Sequence, residues 1–138
     1  EQAIGATKLH ADTLARIDDA GLRACGVSGN KTLALRDLAA RAGAGEVPST
    51  AEMARLHDHE IIERLTAVRG IGRWTVEMML MFQLGRPDVL PVDDLGVRKG
   101  AQLLDKLDEM PKPKVLAERG EAWGPYRTLA GLYLWRIA

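Results

Sequence analysis

Two adjacent carboxylates, Asp93 and Asp94, close a Gly/Pro-rich run that reads Gly85-Arg-Pro87-Asp-Val-Leu-Pro91-Val-Asp93-Asp94. Trp74 stands twenty positions before Asp94 (94 − 74), directly after Arg69-Gly70-Ile71-Gly72-Arg73. A carboxylate held in a site can stabilise a developing positive charge or take a proton. A Gly-x-Gly turn that opens a helix leaves backbone N–H groups uncovered. There the unpaired donors and the helix dipole favour an anion such as a phosphate. Arg69 and Arg73 add positive charge at the same place. Plainer readings stand beside these. Either aspartate could cap a helix, for about 1 kcal/mol, and Gly-Ile-Gly could be an ordinary turn between helices. Spacing links the features, because a loop that folds back would bring the helix start carrying Asp94 near the mouth of the hairpin.

The elements that must position these residues read as helix after helix. Residues 6–16 form a first segment of ambiguous type, with Leu9, Leu14 and Ile17 as core candidates. Asp18 or Asp19 caps a short helix that passes Leu22 and Cys25 and stops at Gly26. Ser28 caps the next, where Leu33, Leu35 and Leu38 recur until Gly43-Ala-Gly45. Ser49 with Glu52 makes a capping box ahead of a short helix to Leu56. Asp58 then caps a helix with Ile61, Ile62, Leu65 and Val68 inward, and Ile71 pins the turn that follows. Trp74 to Leu84 is helical, so residues 59–84 read as a helix-hairpin-helix. A helix from about Asp94 to Leu107 follows, Pro111 and Pro113 mark a loop, Val115 to Trp123 looks helical, and Pro125 opens the last helix at its first turn. With no repeat and no convincing strand, residues 1–138 read as a single all-α domain.

Composition agrees with that class. Hydrophobic residues make up 46% of the 138 and aromatics only 4%, a balance of Ala, Leu and Val that favours helices over a sheet. Formal net charge is zero, which counts against a purely electrostatic nucleic-acid binder but allows a few aimed phosphate contacts. Cys25 is the only cysteine, which excludes an internal disulfide and a thiolate set for zinc or an Fe–S cluster. A reducing cytoplasm is the simple inference. No apolar run approaches the roughly 18 residues of a membrane span, and no signal peptide is visible. His57 and His59 flank Asp58 and read as solvent-facing rather than metal-ligating. Met78, Met79 and Met81 read as core filling, with Met78, one turn after Trp74, the one placed to line a pocket. Arg98 and Lys99 read equally as phosphate contacts or as a solvated helix face.

The stretch from Leu65 to Arg98 resembles the helix-hairpin-helix (HhH-GPD) DNA glycosylases, and within them the alkylpurine branch typified by 3-methyladenine DNA glycosylase II. Gly70-Ile-Gly-Arg-Trp-Thr75, Asp88-Val89, Asp93-Asp94, Trp123-Gly-Pro-Tyr-Arg127 and Tyr133-Leu-Trp135 carry the resemblance. It implies that Asp94 is the catalytic carboxylate, with Asp93 capping the helix or holding the loop. It implies that Gly70 and Gly72, with Arg69 and Arg73, bind a DNA phosphate. Trp74, Trp135 and Met78 correspond to the base pocket, although Trp135 reads also as a core residue of the last helix and Trp74 as a core residue of its own. Backbone carbonyls of Thr66, Val68 and Gly70 match a monovalent-cation site for Na+ or K+; no other cofactor is implied.

Bifunctional members carry a lysine where this chain has Trp74. An indole has no nucleophilic amine, so the implied enzyme removes an alkylated purine from double-stranded DNA in base excision repair and leaves the strand intact. The alternatives are a non-catalytic helix-hairpin-helix DNA-binding module in which Asp94 serves only as a cap, an inactive glycosylase remnant, or an unrelated helical interaction protein. The family's usual N-terminal helices are missing here. Glu1-Gln2-Ala3-Ile4 begins as if already inside an element, with Ile4 at the place of the family's hydrophobic wedge. The expectation is a preceding segment or a homodimer that covers the exposed apolar faces.

Overall fold

The computed structural model of the chain describes residues 16–138; the expectations for Ile4, Leu9 and Leu14 lie outside them. Every regular element among the described residues is helical. Two compact units divide the chain, one ending at Gly72 and the other beginning at Arg73.

In the first unit, Asp18 accepts the Gly21 N–H at 2.7 Å and starts α1 (Asp19–Ala24). Gly26 takes the left-handed turn that ends it, with φ +87°. Ser28 caps α2 (Gly29–Gly43), and Ser49 accepts the Glu52 N–H at 3.2 Å to cap α3 (Thr50–Met53), which ends three residues before Leu56; Glu52 takes the Ser49 hydroxyl rather than its backbone N–H, so the expected box is a single cap. Two further expectations are corrected here. Leu33 is exposed, and α2 buries Thr32 instead, a rotation of about 100° around the helix per position. The cap of α4 (Asp58–Thr66) is His57 rather than Asp58, because Glu60 reaches back to the His57 N–H at 3.3 Å and closes a capping box one residue upstream. Ile61, Leu65 and Val68 are buried as their spacing requires, and Ile62 is half-buried.

The second unit contains α5 (Arg73–Phe82), α6 (Leu95–Asp105), α7 (Pro113–Gly120), a 3-10 turn (Glu121–Trp123) and α8 (Arg127–Ile137). Its core is Leu90, Val97, Ala101, Leu116 and Leu134, with Val92, Trp123 and Trp135 packed against it. Helices α6 and α8 meet at backbone distance: a Cβ added at Gly100 would lie 2.0 Å from the Leu134 carbonyl oxygen. Pro113 is the first residue of α7 rather than a loop marker. Pro125 does not open α8, which begins two residues later. Asp88 accepts the Arg127 N–H at 3.2 Å, and the Thr128 N–H goes to the Pro87 carbonyl at 3.0 Å. The 83–94 loop thus supplies acceptors for two first-turn donors that a helix starting at Arg127 leaves without intrahelical partners. None of the described helices is long and apolar enough to cross a membrane.

Candidate active site

The hairpin turn lies in the first unit. Gly70 carries the left-handed φ of +82°; a Cβ there would be strained and would stand 2.9 Å from the Ala34 side chain. Gly72 has no such requirement. Its Cβ position is open, so its contribution is an uncovered backbone. The Ile71 N–H closes the turn onto the Val68 carbonyl at 3.1 Å, and Ile71 itself is half-buried. The Arg69 N–H donates to the Asp37 carboxylate at 2.7 Å, and that hydrogen bond holds Asp37 below the usual carboxylate range. Arg69 therefore has only its side chain left to offer a phosphate. Among the described residues no group of three His, Cys, Asp or Glu could hold a metal ion.

In the second unit the decisive residue is Asp94. It caps α6, its Oδ2 accepting the Val97 N–H at 3.0 Å. Asp93, expected either to cap the helix or to hold the loop, is not the cap residue. The same Oδ2 accepts Trp135 Nε1–H at 2.5 Å, and Oδ1 accepts Trp74 Nε1–H at 2.7 Å. One carboxylate thus satisfies a helix end and two indoles. Burial pushes its pKa up, but the hydrogen bonds from Trp135, Val97 and Trp74 outweigh it and hold Asp94 below its ordinary value. The group is an anion at neutral pH. It borders a cavity of about 330 Å³ lined by Trp74, Asp93, Asp94, Leu95 and Gly96.

Trp74 is half exposed. Trp135 is half-buried, packed on the core, and its ring stacks on Phe82 with centroids 5.9 Å apart. Met78 is half-buried on α5 and does not line the cavity beside Asp94. Arg98 donates its Nε–H to the Pro111 carbonyl at 2.9 Å, so it tethers the loop ahead of α7, whereas Lys99 is exposed.

The HhH-GPD superfamily, described as base excision DNA repair proteins, matches residues 2–125. The chain belongs to that superfamily. It is 44% identical over 117 residues to DNA-3-methyladenine glycosylase 1 of Schizosaccharomyces pombe, an alignment covering 85% of this chain and 51% of that protein. It is also similar to a crystal structure of a DNA-3-methyladenine glycosidase from Bacillus halodurans, with TM-score 0.87 and 40% identity over 99% of this chain and 62% of that one. The Schizosaccharomyces pombe 3-methyladenine glycosylase in complex with abasic DNA gives TM-score 0.79 and 41% identity, over 92% of this chain and 62% of that one. The chain spans about half the length of the curated relative it matches.

Three residues of this HhH-GPD chain bear on the site without having stood out in the sequence. A Cβ at Gly96 would come within 2.7 Å of Trp135 Cδ1 and 3.2 Å of Asp94 Oδ2, so glycine is what lets the indole reach the carboxylate. Its spacing of four from Gly100, inside a helix where glycine costs about 1 kcal/mol, was the available signal. Phe82 supplies the face on which Trp135 stacks. Glu77 is 2% exposed and its Oε1 has no hydrogen-bond partner. Its nearest cation is Arg73, 3.6 Å away. Burial raises Glu77 to about 7; Arg73 opposes the rise, and Asp93 and Asp94 add to it. A charged residue inside an otherwise apolar helix was the signal there.

Proposed function

We propose that this chain carries the catalytic centre of a monofunctional DNA glycosylase that hydrolyses the N-glycosidic bond of alkylated purines. The observation that carries the reading is Asp94, held ionised by two indole donors and one backbone donor at the edge of a cavity. A base inside duplex DNA must leave the stack before its glycosidic bond can be reached. An N3- or N7-alkylated purine is cationic and already a good leaving group, so little acid catalysis is required. What remains is to stabilise an oxocarbenium-like sugar and admit water to it. A fixed anion serves the first task without reorganising. The donors that keep Asp94 ionised also make it a weak base, so its work is electrostatic more than proton abstraction.

Half-exposed Trp74 offers a face to a cationic base, a contact worth roughly 0.5–2 kcal/mol, and Trp135 holds Asp94 from behind. Neither Trp74 nor Arg73 can form a Schiff base, the first lacking an amine and the second staying protonated. For DNA phosphate, Gly70 and Gly72 of the first unit offer backbone donors and Arg69 a guanidinium, and Arg73 of the second unit offers a guanidinium of its own. The reading includes a monovalent cation on the carbonyls of Thr66, Val68 and Gly70, where Val68 keeps one lone pair beyond its bond to Ile71; the ion would help fix the turn.

The test is release of free base from methylated duplex DNA by the wild type and by Asp94→Asn. Release by the wild type alone is expected, slowed by at least about 10²-fold in the variant, with no strand break until alkali is added. A second reading, a non-catalytic DNA-binding module, is favoured by the cap that Asp94 makes to Val97. Bound DNA with no base released by the wild type would establish it instead.

A further inference from the structure

Glu77 is the buried ionisable group that the mechanism above leaves unused. Its surroundings are unusual for a carboxyl inside a helix. Nothing donates to Oε1, and the Arg73 guanidinium lies 3.6 Å from Oε2, beyond good hydrogen-bond length. The other charges acting on it are the anions Asp93 and Asp94. Arg73 is in the opposite situation. Its side chain is 60% exposed at the first position of α5, directly after Gly72 in the chain. Among the described residues, the cation that offsets the Glu77 charge is therefore also one open to solvent and to any polyanion.

We infer that Glu77 and Arg73 form a proton-linked pair, in which DNA phosphate draws Arg73 away from Glu77 and Glu77 takes up a proton from solvent in exchange. The inference rests on the DNA-binding reading above. A phosphate offers Arg73 short, charge-assisted, bidentate hydrogen bonds, which the 3.6 Å contact does not. Once Arg73 turns outward, an ionised Glu77 would be a buried anion facing Asp93 and Asp94 with no counterion. Protonation removes that cost. The sign follows from linkage. DNA binding raises the affinity of Glu77 for its proton, so binding takes up protons and weakens as the pH rises through neutrality. Glu77 is in this sense a positioning residue, acting on DNA through Arg73 and touching neither the base nor the sugar.

The experiment is calorimetric titration with a duplex containing a tetrahydrofuran abasic analogue, near neutral pH, in two buffers of different ionisation enthalpy. The wild type is expected to take up a fraction of one proton, and its affinity to fall roughly three- to tenfold between about pH 6 and pH 8. Glu77→Gln should bind with no such uptake and a flat profile. Arg73→Gln should bind more weakly and also lose the uptake. Equal proton uptake by the wild type and Glu77→Gln would overturn the inference while leaving DNA binding intact. Failure of every protein to bind the duplex would overturn the DNA-binding reading and this one with it. Should Glu77→Gln not fold, the Glu77 carboxyl of the wild type can be titrated by carbon NMR with and without the duplex. An upward move of the midpoint is expected, and an unmoved midpoint refutes the pair.

Discussion

Glu77 and Asp94 are carboxyls of one unit whose proton affinities the fold shifts in opposite directions, and the consequences for stability have opposite signs. Glu77 rises from 4.5 to about 7. The folded chain binds that proton more tightly than the unfolded chain does, so its stabilising effect is complete below about pH 4.5 and lost as the pH climbs through about 7. The difference corresponds to about 3 kcal/mol. Glu77→Gln should therefore be more stable than the wild type at pH 8, by an amount approaching that figure, with the gap closing towards pH 5. Urea denaturation at the two pH values checks this, and a gap independent of pH would refute it. Asp94 is lowered, so its contribution is present above the ordinary carboxylate range and lost as acid reaches its folded value. At this scale the sequence was legible where a residue type has few uses: an aspartate after a Gly/Pro loop, or a tryptophan after a glycine hairpin. It was silent on which atoms meet. The approach of the Trp135 indole to Asp94 depends on Gly96, with Phe82 stacked on the same ring, and residue spacing does not encode those contacts.

Helix α6 has to do two things along one face. Gly96 lets Trp135 approach Asp94, and Gly100 lets the α8 backbone approach α6. Alanine at either position introduces one methyl group with very different room to move. At Gly100 the obstacle is the Leu134 carbonyl, which belongs to helix backbone; at Gly96 it is a side chain. Gly100→Ala should cost about 1–3 kcal/mol or more. Gly96→Ala should cost less stability, while disturbing the Trp135–Asp94 hydrogen bond. Urea midpoints at unchanged slope check the order, and the reverse ranking would refute it. The start of α8 shows why boundaries were harder to read than helices. Proline at a first turn is a sound rule, but here the helix starts at Arg127, where the 83–94 loop supplies acceptors for the first-turn donors through Asp88 and Pro87, and Thr128 in turn accepts the Val89 N–H. At α4 the local rule was right in kind and one residue off, because Glu60 closes a capping box with His57.

Across the whole chain 19 basic and 19 acidic residues cancel, so on the DNA-binding reading proposed above affinity would come from aimed contacts rather than from non-specific attraction. Arg69 and Arg73 are the side chains expected to neutralise phosphates, while the glycine N–H groups bind without displacing counterions in proportion. The logarithm of the DNA affinity should fall against the logarithm of salt with a slope of about −2. A slope several times steeper would show that a broader basic surface is engaged. The all-α class was legible because Ala, Leu and the helix caps at Asp18, Ser28, Ser49 and Asp94 agree. The division at Gly72–Arg73 was not, since it falls within the hairpin and not in a Pro/Ser-rich linker of the kind that usually announces one.

The chain has three tryptophans, and two of them point their N–H groups at the same carboxylate. Indole emission responds to hydrogen bonding at Nε1 and to a nearby charge. The protein therefore carries an optical gauge of Asp94 without any added label. Neutralising the carboxylate, or turning Trp74 outward to stack on a base, would register in its own fluorescence.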